Sequence, residues 1–155
     1  MKNGSFPRTT NQRMDGGLLH IIVIDGQGGG LGKAIVEKLR CEFHDSVSIT
    51  ALGTNALAAS IMIKAGANEG ASGENAIVVN AKKADFIIGA TGIISANSML
   101  GELSPKMARA ISESNAVKIL IPLNRCNIQV AGIKQQALPS YLDDAIELLK
   151  GLLTQ

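Results

Sequence analysis

The sequence predicts an α/β fold: a three-layer sandwich with helices on both faces of a mainly parallel sheet of five to six strands. Three observations predict it. Short β-branched runs alternate with longer segments of helical period across residues 18–155. The first run, Ile21 to Ile24, is apolar at every position, as a strand buried on both faces must be. It leads directly into Gly26, Gly28, Gly29, Gly30 and Gly32, and then into a helix-forming segment. An apolar strand, a glycine turn and a helix in that order bring backbone N–H groups and a helix N-terminus to one point. That is the opening of a Rossmann-like fold.

The first strand is read as His20 to Asp25 and the first helix as about Gly30 to Phe43. On that helix Leu31, Ile35, Leu39 and Phe43 share a face, and Lys33 pairs with Glu37 on another. Val47 to Leu52 is the second strand. The turn Gly53-Thr54-Asn55, with Thr54 or Asn55 as N-cap, opens a helix over Ala56 to Ala65 that Gly66 stops. That helix is apolar all round and predicts cover on more than one side, by a second copy of the chain or by a loop of its own. Asn68 to Ala71 allow a very short strand. Glu74 to Lys83 read as a helix, because the strand Asp85 to Ala90 follows at once. Ile94 to Leu100 read as the start of a helix that breaks at Gly101. Ser104 and Pro105, an N-cap and a first-turn proline, open a helix to about Ser114. Val117 to Ile121 is a strand cut off by Pro122, and Asn127 to Ile133 is a candidate sixth. The last helix begins at Pro139-Ser140, with Asp143 at the capping-box position and Gly151 as its end.

The length of 155 residues fits one domain over residues 18–155, preceded by a polar, unstructured tail over residues 1–17. The net charge of +2 resides in that tail; the remainder carries twelve basic and twelve acidic residues. A neutral body argues against nucleic acid as the partner. Cys41 and Cys126 give neither a disulfide framework nor metal-type spacing, so no metal site is expected, and His20 and His44 read as structural. No signal-peptide core and no apolar run of roughly 18 residues is present, which points to a cytoplasmic protein with no membrane partner.

In a parallel sheet the ligand sits beyond the carboxyl ends of the strands. Here that edge gathers the loop Gly26, Gln27, Gly28, Gly29, Gly30, Leu31, Gly32 and Lys33 with Gly53, Thr54, Asn55, Thr91 and Arg125. Most of these are neutral hydrogen-bonding groups. The fingerprint G-x-G-x-x-G fails, because Leu31 takes its sixth position. The P-loop pattern keeps Gly32-Lys33 but has Gln27 for its first glycine and Ala34 for the hydroxyl that would bind Mg²⁺. The spacing G-x-x-x-G-x-G is met by Gly26, Gly30 and Gly32.

With that spacing, and with GLGKAIVEKL after it, the loop resembles the cofactor loop of short-chain dehydrogenases and reductases over about twenty residues. The resemblance implies NAD(P) or another nucleotide as ligand. Its catalytic Tyr-x-x-x-Lys pair has no counterpart, since Tyr141 is followed four residues on by Ala145. At the end of the second strand, neutral Thr54 and Asn55 stand where a carboxylate would hold a ribose. Asp25 adds a negative charge beside the expected phosphate. The alternative is that the glycines serve only tight turning and close strand–helix packing.

In LNRCN, Cys126 is a candidate nucleophile if Arg125 lowers its pKa, and Arg125 alone is a candidate anion fork; a buried structural thiol is the plain alternative. Asn97, Ser98 and Thr91 could bond a ligand or cap a helix, and Glu69 and Glu74 read as exposed loop acids. Taken together, IDGQGGGLGKA, ALGTNA, KAGANEGASGENA, NSMLGE and KILIPLNRCN are similar to a small family of uncharacterised bacterial proteins, mainly from anaerobes, grouped as a domain of unknown function. The similarity runs from about residue 20 to 150. It implies a Rossmann-like single domain and brings no activity. The sequence thus predicts a phosphate-bearing small-molecule ligand at the glycine loop and a homo-oligomer formed through Ala56 to Ala65. The alternative is a non-catalytic sensor or assembly module with a vestigial pocket.

Overall fold

In the computed structural model, which describes residues 17–123 and 126–155, five strands form one all-parallel sheet. The chain runs β1 (Leu19–Asp25), α1 (Gly30–Phe43), β2 (Val47–Gly53), α2 (Ala56–Ala65), β3 (Glu69–Ser72), α3 (Glu74–Asn80), β4 (Phe86–Ala90), α4 (Pro105–Glu113), β5 (Val117–Ile121) and α5 (Leu138–Leu153). The strand order is β3-β2-β1-β4-β5. The chain therefore winds outward from β1 in one direction and returns past it to β4 in the other. The reversal point lies between β1 and β4, where a doubly wound sheet opens a crevice.

The strand period of two sorts the core into two layers. Ile21 and Val23 of β1, with Phe86, Ile88, Ile119 and Ile121, face α1, α2 and α5, where they meet Val36, Leu39, Met62, Ile146 and Leu149. Ile22 and Ile24, with Leu52 and Ile87, face α3 and α4, where they meet Ile77, Met107 and Ile111. All four residues from Ile21 to Ile24 are fully buried, which explains why β1 shows no polar alternation. Each such side chain contributes roughly 1.5–3 kcal/mol on burial.

The caps of two helices are those the sequence encodes. The Asn55 side chain accepts from the Ala58 N–H at 2.9 Å, and the Ser104 hydroxyl accepts from the Met107 N–H at 3.2 Å, with Pro105 in the first turn. Arg40 of α1 secures the far end of α2, donating to the carbonyls of Gly66 and Val47 at 2.7 and 3.0 Å.

Four expectations are corrected. Residues 127–133 form no strand, because no neighbouring ladder receives them and both Asn127 and Gly132 take left-handed backbone, φ 53° and 84°. Residues 94–100 form no α-helix: they run from the end of one 3₁₀ turn, Thr91–Ile94, into another, Met99–Gly101, with Asn97, Met99 and Leu100 at φ 65°, 58° and 56°. Asp143 does not cap α5; it reaches Lys38 of α1 at 2.7 Å, while Pro139 lies in the first turn after Ala137. Gly151 does not end α5, which continues to Leu153. The helix Ala56–Ala65 is covered on one face only: Ala58, Ala59 and Met62 are buried, while Leu57 and Ile63 stay 58% and 41% exposed. No loop of the described chain covers the second face. The predicted tail falls on residues that, apart from Gly17, lie outside those described.

Two glycines make opposite demands on stability. A Cβ on Gly53 would stand 2.4 Å from the Asn55 carbonyl oxygen and 2.6 Å from the Ala59 nitrogen, both backbone atoms that cannot turn aside. A Cβ on Gly151 meets nothing within 4 Å, in the interior of a helix. Gly53→Ala is therefore expected to lower unfolding free energy by about 1–3 kcal/mol. Gly151→Ala is expected to raise it by about 0.5–1 kcal/mol. Urea titrations of both variants check the pair.

Candidate functional site

The glycine loop follows β1 at the reversal point. Gly26 is buried, and the Gly29 N–H donates to its carbonyl at 2.9 Å to close the turn. Gly29 takes φ 74° as the N-cap of α1, and its Cα faces α2 so closely that a Cβ would lie 2.9 Å from the Ala58 Cα. Only glycine satisfies both conditions. Gly32 is fixed by packing: a Cβ there would meet the Met62 sulfur at 2.4 Å and the Asp25 Cβ at 2.8 Å.

Asp25 is the anchor of the loop. It is 7% exposed, and its two carboxylate oxygens accept from the Gly26 N–H at 2.8 Å and from the Gly32 N–H at 2.6 Å. α1 has no side-chain cap at Gly29 and no acid in its first turn. The carboxylate at the end of β1 fills that role, satisfying one of the helix's first amides and complementing its dipole. The amides of Gly28, Gly30 and Leu31 have no hydrogen-bond partner among the described residues.

Those amides border a cavity of about 760 Å³. It runs from Asp25–Leu31 across the ends of β4 and β5, past Ala90, Gly92 and Leu123, to Leu138 at the start of α5. Met99 and Leu100 close its outer side, and Ser98 and Cys126 supply polar atoms. The Ser98 hydroxyl donates to the Gly92 carbonyl at 2.5 Å. Its size is that of ordinary small-molecule sites. Its wall is mostly aliphatic, and Asp25 is the one carboxylate in the described lining.

Of the residues the sequence nominates, Gly26, Gln27, Gly28, Gly29, Gly30, Leu31 and Cys126 line the cavity. The others do not. Gly32 is buried beneath the loop, and Lys33 pairs with Glu37 at 3.9 Å on the exposed side of α1. Gly53 is packed against the first turn of α2. The Thr91 hydroxyl donates to the Ile121 carbonyl at 3.0 Å and lines a separate groove beside β5. Arg125 lies outside the described residues, so its distance from Cys126 does not enter the geometry. Tyr141 is remote as well: its hydroxyl bonds the Lys134 carbonyl at the β5 groove.

Thr54 and Asn55 are held by a residue that sequence reasoning missed. One carboxylate oxygen of Glu102 accepts from the Asn55 side-chain amide at 2.5 Å, the Thr54 hydroxyl at 2.9 Å and the Gln27 N–H at 3.2 Å. Glu102 thus joins the β1–α1 loop to the β2–α2 turn from a distant segment. The Asn55 bond, with those from Thr54 and Gln27, holds its carboxyl below the ordinary value of 4.5, against the opposing effect of burial. The one sequence signal was the string SMLGE, in which two apolar residues stand between turn formers.

Among the described residues no group of three His, Cys, Asp or Glu side chains could hold a metal ion, and no helix is long and apolar enough to cross a membrane. The family model described as "Domain of unknown function (DUF3842)" matches residues 20–154. The chain belongs to this family. No curated protein matches the DUF3842 chain. Among solved structures it is similar to a dodecameric FMN-dependent Ubix-like decarboxylase from Escherichia coli O157:H7, at 14% identity and a TM-score of 0.40, over 87% of this chain and 76% of that one.

Because the folded-state pKa of Glu102 is depressed, its contribution to stability is present above about 4.5 and is lost as pH falls through the lower, folded value. Glu102→Gln is expected to unfold at lower urea than the parent at pH 7, with the gap narrowing below pH 4. Paired urea midpoints across that range check it.

Proposed function

We propose that this protein binds a nucleotide or another phosphate-bearing small molecule at the loop Gly26–Lys33, with the phosphate against the amides of Gly28, Gly30 and Leu31 at the N-terminus of α1, which bond no other described residue. One observation carries the reading. Gly26, Gly29 and Gly32 have packing reasons to be glycine, but a Cβ on Gly28 or Gly30 would meet nothing within 4 Å, and neither takes a positive φ. The fold gains nothing from glycine at these two places, and at Gly30 it forgoes helix propensity. Close approach of a ligand to the backbone is the remaining physical reason for a missing side chain on the cavity wall.

Asp25 limits the charge the site accepts. Its carboxylate already uses the Gly26 and Gly32 amides, so a phosphate dianion would face a neighbouring negative charge. A phosphate whose charge is offset by Mg²⁺ suits the place better. Nucleotides remain the ligand class, and Cys126 in the same cavity wall is the candidate for chemistry.

The apolar face of α2 supports assembly into a homo-oligomer through Ala56–Ala65, where Leu57 and Ile63 present aliphatic surface to solvent. The second reading, a non-catalytic assembly module with a vestigial pocket, draws on this face and on the occupied amides at Asp25. A cytoplasmic setting suits both.

A dye-based thermal-shift panel of NAD(H), NADP(H), ATP, GTP, S-adenosylmethionine, CoA and flavins, with and without Mg²⁺, tests the first reading. A true ligand at 100 times its Kd adds about 2.7 kcal/mol, a rise of roughly 5–10 °C. Gly30→Leu is expected to keep the fold and abolish that rise. Silence across the panel at millimolar ligand supports the assembly module instead. For the oligomer, Leu57→Glu with Ile63→Lys is expected to give monomers in light scattering, and an unchanged mass refutes the α2 interface.

A further inference from the structure

Resting on the phosphate-site reading, we propose that the segment Ser95–Glu102 seals the β2 half of the crevice, so that the site takes a ligand with a single nucleotide-sized unit and excludes a dinucleotide.

A dinucleotide lies across the whole crevice of a doubly wound sheet, with its pyrophosphate at the glycine turn and one ribose at the end of the second strand. In this protein the two halves differ. The half over β4 and β5 is the open cavity. The half over β2 is occupied. Its turn residues Thr54 and Asn55 spend their hydroxyl and side-chain amide on Glu102, and the Gln27 N–H, the donor nearest that side, bonds the same oxygen. Met99 fills the space behind them: a Cβ on Gly26 would stand 2.7 Å from its sulfur and 2.4 Å from the Thr54 hydroxyl. A ribose at the end of β2 would have to displace Glu102 and Met99 together.

The segment is built to hold this position. The Asn97 N–H donates to the Leu103 carbonyl at 2.8 Å and the Leu103 N–H to the Ser98 carbonyl at 3.2 Å, so its two ends are tied to each other. Within it Asn97, Met99 and Leu100 all hold left-handed backbone that side chains disfavour, and such strain persists only where surrounding contacts over-determine it. Glu102 is the side chain that hydrogen-bonds the segment to the turns after β1 and β2. Leu100, 98% exposed, stands at the mouth of the cavity with no apolar partner among the described residues. An occupant with an apolar body, resting against Leu31, Leu123 and Leu138, would give it one. The ligand class is therefore a mononucleotide or similar phosphate ester with an apolar body.

The test compares matched pairs, AMP and nicotinamide mononucleotide against NAD, and flavin mononucleotide against FAD, all with Mg²⁺, by calorimetry on the parent protein and on Glu102→Ala. Amide hydrogen exchange at Gln27 is followed in both proteins without ligand. The expected result is that the parent binds one of the mononucleotides and binds its matched dinucleotide at least about tenfold more weakly. Glu102→Ala narrows that ratio, and its Gln27 amide exchanges at least about tenfold faster, as loss of a hydrogen bond to a charged acceptor predicts. Equal or tighter binding of dinucleotides by the parent overturns the inference while leaving the phosphate site standing. Unchanged exchange at Gln27 overturns the closure itself. If no member of the panel binds either protein, the phosphate-site reading fails and the ligand class fails with it, whereas the exchange result still decides the closure.

Discussion

The structure turns on the carboxylate of Asp25. It leaves the end of β1 and takes the amides of Gly26 and Gly32, so a single side chain fixes the last residue of the central strand, the turn after it and the third residue of α1. Burial makes the arrangement strong, because a carboxylate withdrawn from water must be fully engaged to remain charged. Gly32 lets α1 approach Asp25 and Met62, and Gly29 lets the same loop lean on α2. The positions of two helices relative to β1 thus follow from one ionic group and two missing side chains. The cavity lies where those constraints stop.

Much of the fold is legible in local pattern. The run Ile21 to Ile24 marks β1 because burial on both faces removes any polar alternation, and Asn55, Ser104 and Pro105 mark helix starts through their own backbone chemistry. The errors fall where local pattern competes with something distant. Asn127 to Ile133 carry strand-like residues but lack a neighbour to pair with, and a strand exists only as part of a ladder. Residues 94–100 have helical composition, yet Glu102 spans 48 positions of sequence to reach Thr54, and the backbone bends to deliver it. A residue whose partner lies that far along the chain leaves no periodic signal. Similarly, Gly32 and Gly30 look alike in sequence, and only the packing around them shows that one is needed by the fold and the other is not.

The candidate site was legible on one side only. The glycine loop announces itself through spacing, whereas the turn Gly53–Asn55 looks available in sequence and is engaged in the folded chain. Position at the carboxyl edge of a parallel sheet is thus necessary for a role in the crevice and does not suffice. What distinguishes the two loops is whether their polar groups are satisfied among the described residues: the amides of Gly28, Gly30 and Leu31 are not, and the side chains of Thr54 and Asn55 are.

The sheet's outer strand β3 has a consequence for colloidal behaviour. It is four residues long, every one of them exposed, and it begins with Glu69. At the opposite rim, β5 carries Lys118 as its second residue, with the ammonium group folded back onto the carbonyls of Ser112 and Ser114. A short acidic rim and a lysine-bearing rim are both poor templates for an incoming strand. Neighbouring copies at high concentration are thus discouraged from joining sheet to sheet, and the open parallel sheet, an architecture with two raw edges, is kept from seeding fibres.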